Sequence, residues 1–260
     1  MQYFGFDRPP FGFKTFGFGV SNSKISADFT TGTYKASGAA KTFADLFTFT
    51  RAGKAWLVKD GGLVEYAADV PRLDNGLLIE QSATNISQNI NRYSVRVGAT
   101  KEQLDDGYVR FNQGTADGLI YAYPSYLTGT QYTYSAYVRA VENVDVAIIT
   151  QGSPPSQNHT MVALEKKLLA LGMFRPAGVT HVGLQASSID VLYAQLDLGN
   201  RATTPIITDM TPVTRPADYL LNKITGTTVT GDWDSTLNLS IVAGKLVHSG
   251  YGRIRSLEIN

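Results

Sequence analysis

The chain has 260 residues, with 23 basic and 22 acidic side chains and no cysteine. A disulfide framework, a cysteine-ligated metal and a thiol nucleophile are therefore closed to it, and a net charge of +1 supplies no field for holding a phosphate backbone, so no nucleic-acid partner is expected. Charged residues make up 17%, against about 25% in an average soluble domain; with glycine, tyrosine and phenylalanine abundant, that balance predicts an all-β fold of short strands and turns. No apolar run approaches the roughly 20 residues that cross a bilayer, so membrane insertion is not expected, and Asp7, Arg8, Pro9 and Pro10 interrupt the place where a signal peptide would be apolar.

In chain order, residues 1–24 stand apart. Phe-Gly-Phe occurs three times, placing Phe4, Phe6, Phe11, Phe13, Phe16 and Phe18 two by two on one side of an extended segment. So many rings on a short terminal piece are costly to leave in water. They suit either an arm that docks into a partner or a strand packed on its own domain. Beyond the arm, Thr31-Gly32 marks a turn or bulge, Phe47 to Thr50 alternates with strand period, and Ala55–Val58 and Leu63–Tyr66 flank Asp60-Gly61, a strong hairpin signal. Leu77-Leu78-Ile79 reads as a buried strand, and Thr100 with Gln103 as the capping box of a one-turn helix. Strands are expected over 108–111, 119–123, 131–139, 144–150, 179–184 and 189–196. Residues 161–171 suit a helix by composition and a strand by context, and strand is preferred. Residues 219–260 read as hairpins about Thr225-Gly226 and Ala243-Gly244. Turn signals every 8–12 residues are the spacing of an antiparallel β-sandwich or jelly roll. The expected organisation is an arm over 1–24, a sandwich over 25–218 and C-terminal hairpins over 219–260.

Few residues suggest chemistry. His159, His181 and His248 lie at no metal-ligand spacing, no nucleophile elbow or phosphate loop is present, and Asp105-Asp106 and Asp232-Trp233-Asp234 sit in turn-like sequence where aspartate is at home. No catalytic residue, metal or cofactor is expected. Glu80 closes an apolar run and needs a cation if it is buried; Arg51 or Arg72 is the expected partner, with the role of pinning loops. The strongest recognition signal is aromatic. Tyr121, Tyr123, Tyr126, Tyr132 and Tyr134, with Tyr137 following, are clustered in a stretch poor in charge. Rings that bury apolar area while the hydroxyl stays wet suit a neutral glycan or a protein surface, and they also suit the edge of a core.

Several segments, taken together, resemble a group of bacteriophage virion proteins. Asp28-Phe29-Thr30-Thr31-Gly32-Thr33-Tyr34 matches that group's D-F-T-T-G-x-Y, and Phe49-Thr50-Arg51-Ala52 its F-T-R-A. Val70-Pro71-Arg72, Leu77-Leu78-Ile79-Glu80 and Thr84-Asn85 follow in the same order. Further on, Ala194-Gln195-Leu196-Asp197-Leu198-Gly199 is similar to its A-Q-L-E-x-G, and Val213-Thr214-Arg215-Pro216-Ala217-Asp218 to its V-T-R-A-A-D. The resemblance runs over residues 27–218 and leaves out the arm. It implies a tail-fibre, spike or head-fibre protein located in the virion, with a jelly roll similar to carbohydrate-binding modules. It further implies contact with other virion proteins (tail, portal or collar, or capsid), a homotrimer, and recognition of a host surface glycan. A capsid decoration, collar or connector protein without a ligand is the alternative. The group's W-G before A-Q-L is replaced here by Leu192-Tyr193-Ala194.

Overall fold

The computed structural model describes residues 24–95, 99–112, 119–122, 129–150, 157–174, 182–209 and 211–260, and for 119–122 and 173–174 the backbone alone. Two antiparallel sheets lie face to face. The larger runs in the order Thr100–Gln103, Val109–Asn112, Ser188–Leu198, Gln131–Ala140, Lys166–Phe174, with Ala83–Asn85 joining Ser188–Leu198 to Val213–Arg215. The smaller runs Gln157–Met161, Val144–Thr150, Val182–Gln185, Leu119–Ala122, Ser94–Val95. Phe111, Tyr132, Tyr134, Ile189 and Leu196 of the larger sheet meet Val146, Ile148, Val182 and Leu184 of the smaller in one core. Each such side chain contributes roughly 1.5–3 kcal/mol when taken out of water. The fold is an all-β sandwich, and 161–171 is strand on both sides of a turn.

Strand period explains most of this placement. In Gln131–Ala140 the even-numbered residues from Tyr132 to Ala140 face the core, and Thr133, Ser135 and Tyr137 face outward. Ser188–Leu198 breaks the rule once. Its register against Gln131–Ala140 slips between Tyr137 and Val138, which pair with Tyr193 and Val191. Leu192 is the extra residue of this bulge. Leu192 and Tyr193 consequently both leave the main core and pack with Tyr108 on the outer face, while Val191 and Ala194 stay inside.

A second body is built from both ends of the described chain. Val229–Trp233, Gly252–Ile259, Ile25–Asp28, Thr33–Ala36 and Ala39–Lys41 form a sheet to which Leu77–Ile79 adds beside Gly252–Ile259. Phe47–Thr50 pairs with Tyr219–Asn222, and Leu237–Val242 with Lys245–Gly250. Ile25, Phe29, Phe47, Leu77, Leu220, Leu246, Ile254 and Leu257 share its core. The expected division after residue 218 therefore cuts across a sheet. Residues 25–50 and 77–79 belong with 219–260, and the sandwich, on which the hairpin over 55–66 packs, lies between them in the chain. Thr225-Gly226 joins strands that pair elsewhere, so only the Ala243-Gly244 hairpin forms, with φ of 50° and 78° at its turn. The capping box sits not at Thr100, which begins a strand, but at Thr42, whose side chain and Asp45 cap the helix Phe43–Leu46.

Candidate functional site

All of the quoted landmark segments but the first, residues 28–34, contribute to one buried cluster. Arg51, Arg72, Glu80, Asn85, Gln195, Asp197, Arg215 and Asp218 are each at most 5% exposed. Arg72 donates to Glu80 at 2.8 Å and to Asp218 at 2.6 Å, Arg51 donates to Asp218 at 3.3 Å, and Arg215 lies 3.4 Å from Glu80. The cation for Glu80 is thus Arg72, while Arg51 takes Asp218. Burial opposes the Glu80 charge, but Arg215, Arg72 and the Thr204 donors outweigh it and hold this carboxyl below its ordinary range. Beside them, Asn85 accepts from Leu196 N–H and donates to Ile206 C=O, and Gln195 accepts from Ile206 N–H. Arg215 with Glu80 ties the sandwich to the other body, and the contacts of Glu80 with Thr204 and of Asn85 and Gln195 with Ile206 tie strand ends to the loop 199–209, so these residues serve as a joint.

Asp197 differs from Glu80. Burial pushes its carboxyl up to about 7 despite hydrogen bonds from Thr203 and Gln195. The unfolded chain releases this proton near pH 4 and the folded chain keeps it to about pH 7, so this group's contribution to stability falls as pH rises between those values and is level above them. Asp197→Asn keeps an acceptor for Thr203 N–H and Gln195. Its stability relative to the parent, followed by urea unfolding, is expected to climb by up to about 4 kcal/mol from pH 4 to pH 7; a difference independent of pH contradicts this.

Arg51 also sets the position of the hairpin over residues 55–66. Its guanidinium donates to the carbonyls of Gly53 at 2.8 Å, Ala67 at 2.6 Å and Val70 at 3.3 Å, which fixes the hairpin's base. The tip is a tight turn with positive φ at Asp60 and Gly61, and Tyr108 donates its hydroxyl to Gly61 C=O at 2.8 Å. Arg139 lies over the Tyr108 ring at 4.2 Å and is itself paired with Asp190. The hairpin therefore lies across the outer face of the larger sheet, with Val58 and Leu63 on Tyr108, Leu192 and Tyr193.

Held in this way, the hairpin makes a groove. A cleft of about 490 Å³ is lined by Gly53, Lys54, Trp56, Glu65, Thr214 and Arg215, and a smaller one of about 180 Å³ by Trp56, Asn91, Gln103 and Leu192. Both share Trp56, Ile206 and Ile207. The half-buried indole thus sits at the middle of the groove with amides at one end. Its charges are compensated: Lys54 pairs with Glu65 at 2.8 Å and Arg215 with Glu80. On the other side of the hairpin, Tyr137 stacks on Tyr193 at 6.4 Å and 12°, beside Leu57 and Thr204.

The tyrosine expectation needs correction. Tyr132 and Tyr134 are 1% and 0% exposed, in the core; the same alternation that marks them as strand turns them inward, so they present no face to a ligand. Tyr121 is placed only by register, opposite Gly183 and Ser94. Tyr123 and Tyr126, and Phe4, Phe6, Phe11, Phe13, Phe16 and Phe18 of the arm, lie outside the described residues. Asp106 and the Asp232 and Asp234 pair bind Arg139 and Arg255. Among the described residues no three His, Asp or Glu side chains gather as metal ligands would. The groove residue that the sequence concealed is Trp56. In Ala55–Lys59 it reads as one more strand residue, and only the hairpin's docking makes it central.

No family model matches the chain, and no curated protein matches it either. Three similar solved structures each cover less than half of it. A two-module structure of endo-1,4-beta-D-xylanase 10B from Clostridium thermocellum, solved with xylohexaose, superposes with a TM-score of 0.33 at 12% identity, over 49% of this chain and 30% of that one. A carbohydrate-binding module of lichenase 5A from Cellvibrio mixtus, in complex with cellotriose, gives 0.33 at 12%, over 46% and 99%. The enzymatically active domain of tailspike protein 4 of bacteriophage CBA120 gives 0.26 at 13%, over 44% and 19%.

Proposed function

We propose that the protein is a non-enzymatic component of a bacteriophage virion, a tail fibre, spike or head fibre, that attaches through its N-terminal arm and binds a neutral host-surface glycan in the Trp56 groove. The observation that carries the glycan assignment is the groove. It is an open, mostly apolar cleft with an indole at its centre, the side-chain amides of Asn91 and Gln103 near one end and compensated charges that do not attract a polyanion. A sugar ring offers an apolar face to the indole and hydroxyls to the amides. The virion setting is supported by the ordered landmark segments, all but the first of which here build one joint instead of a reactive centre. A second reading, a connector or decoration protein with no ligand, is favoured by the burial of Tyr132 and Tyr134.

A glycan array probed with the intact protein separates the two. Binding to neutral oligosaccharides is expected, weakened tenfold or more in Trp56→Ala, the equivalent of about 1.4 kcal/mol. No binding anywhere on the array, or binding untouched by that change, leaves the connector reading in place.

A further inference from the structure

On the Tyr137 side of the hairpin lies a cavity that the groove does not use. It encloses about 260 Å³ between Leu57 and Val58 of the hairpin, Tyr137, Tyr193 and Leu168 of the larger sheet, and Pro205 of the loop 199–209. Trp56 is not among its walls. Tyr193 forms its buried side: the residue is 5% exposed, and its ring lies nearly parallel to that of Tyr137. The charges that act on this phenol are those of Asp197 and Glu80, and Glu80 borders the same cavity, which sets the hydroxyl on this side of the hairpin. Other buried tyrosines satisfy the hydroxyl within the protein, Tyr93 with Ser87 at 2.7 Å and Tyr108 with Gly61 C=O at 2.8 Å. That of Tyr193 has no hydrogen-bond partner among the described residues. Unlike the unpartnered hydroxyl of Tyr34, it is not sealed from solvent. Its partner therefore comes from outside the chain, as water or as a ligand.

We propose that this cavity is a second sugar site, separate from the Trp56 groove, which takes one neutral sugar ring against Tyr137 with a sugar hydroxyl on Tyr193. Size limits the ligand. A volume of about 260 Å³ falls below the roughly 300–1,000 Å³ of pockets for drug-sized molecules, so it suits a single ring and not a chain. Charge limits it further. Glu80 is the one charged wall, and it is already paired with Arg72 and Arg215, so nothing draws an ion. A wholly apolar ligand would strip water from the Tyr193 hydroxyl and leave it unpaired. A sugar lays its apolar face on the Tyr137 ring and gives a hydroxyl to Tyr193. Burial pushes the Tyr193 phenol up, so it stays protonated and can both donate and accept. With the Trp56 groove on the other side of the same hairpin, two sites can engage one glycan or two neighbours, and together bind more tightly than either alone. The proposal shares with the groove reading only the class of ligand.

Saturation-transfer NMR on the full-length protein, with the methyl glycosides of glucose, galactose, mannose and N-acetylglucosamine, tests this. Trp56→Ala removes the indole of the groove, and at least one of the four glycosides is still expected to receive saturation there, most strongly at its ring C–H protons. Adding Tyr193→Phe removes one oxygen atom. That change is expected to weaken the remaining binding tenfold or more, while the thermal midpoint stays at or above that of Trp56→Ala because no hydrogen bond within the protein is lost. A second measurement does not rely on Trp56→Ala folding. In the parent, Tyr193→Phe alone is expected to lower transfer to the glycoside and to leave the response of Trp56 emission to sugar as it was. No transfer to any of the four in Trp56→Ala, or transfer that ignores Tyr193→Phe, overturns the second site and leaves the groove standing. Transfer that is lost in Tyr193→Phe but indifferent to Trp56→Ala supports the second site and counts against the groove.

Discussion

Replacing Arg72 by methionine is expected to lower folding stability by about 3–5 kcal/mol, a large part of the 5–15 kcal/mol that a domain of ordinary stability possesses. Arg72 is wholly buried and bridges two carboxylates, Glu80 and Asp218, which are themselves almost without solvent. A methionine of similar length fills much of the space but leaves both anions short of a partner. Asp218 would retain Arg51 at 3.3 Å, and Glu80 would retain Arg215 at 3.4 Å, which keeps the loss within that range. The signature of the joint is non-additivity. In an Asp218→Asn background the same change should cost less by about 0.5–3 kcal/mol, because one of the stranded charges is already gone. Urea unfolding of the four proteins measures this. A loss below about 1 kcal/mol, the worth of a surface pair, with strict additivity, would mean that the cluster does not hold the bodies together.

Tyr134→Ala is expected to cost about 3–5 kcal/mol, the range for emptying an aromatic site in a core, while Tyr134→Phe, which keeps the ring, should cost no more than about 1.5 kcal/mol, the net worth of a hydrogen bond. The ring has no exposed surface and lies among Tyr132, Ala136 and the side chains of the facing sheet. Neither substitution removes a groove residue, so Tyr134→Phe should bind oligosaccharide as the parent does. A glycan-binding defect in Tyr134→Phe at parental stability would return this residue to the recognition surface and contradict its placement in the core.

What the sequence disclosed was local. Asp60-Gly61 between apolar runs announced the hairpin, and alternation announced Phe47–Thr50 and Gln131–Ala140, because turn chemistry and period are properties of neighbouring residues. A carboxylate closing an apolar run called for a cation, and Arg72 is eight residues away. The distant half was not legible. Asp218 meets Arg51 from 167 positions along the chain, and Gly252–Ile259 pairs with Ile25–Asp28, so the boundary drawn after residue 218 followed the chain where the fold did not. The bulge at Leu192 turned Tyr193 outward against the simple alternation, and its cause lies in the pairing with Tyr137, which no single strand records. Trp56 stayed hidden for the same reason. Its place in a groove depends on Arg51 and Tyr108 holding the two ends of its hairpin.

The chain has two tryptophans, Trp56 and Trp233, so fluorescence can watch the groove alone. With Trp233→Phe, titration with a neutral oligosaccharide that scores on the array should shift the remaining indole emission saturably to shorter wavelength, and a reducing-end assay on the same mixture should stay flat. An emission that ignores every sugar offered, or reducing ends that accumulate with time, would contradict a binding protein whose recognition centres on Trp56.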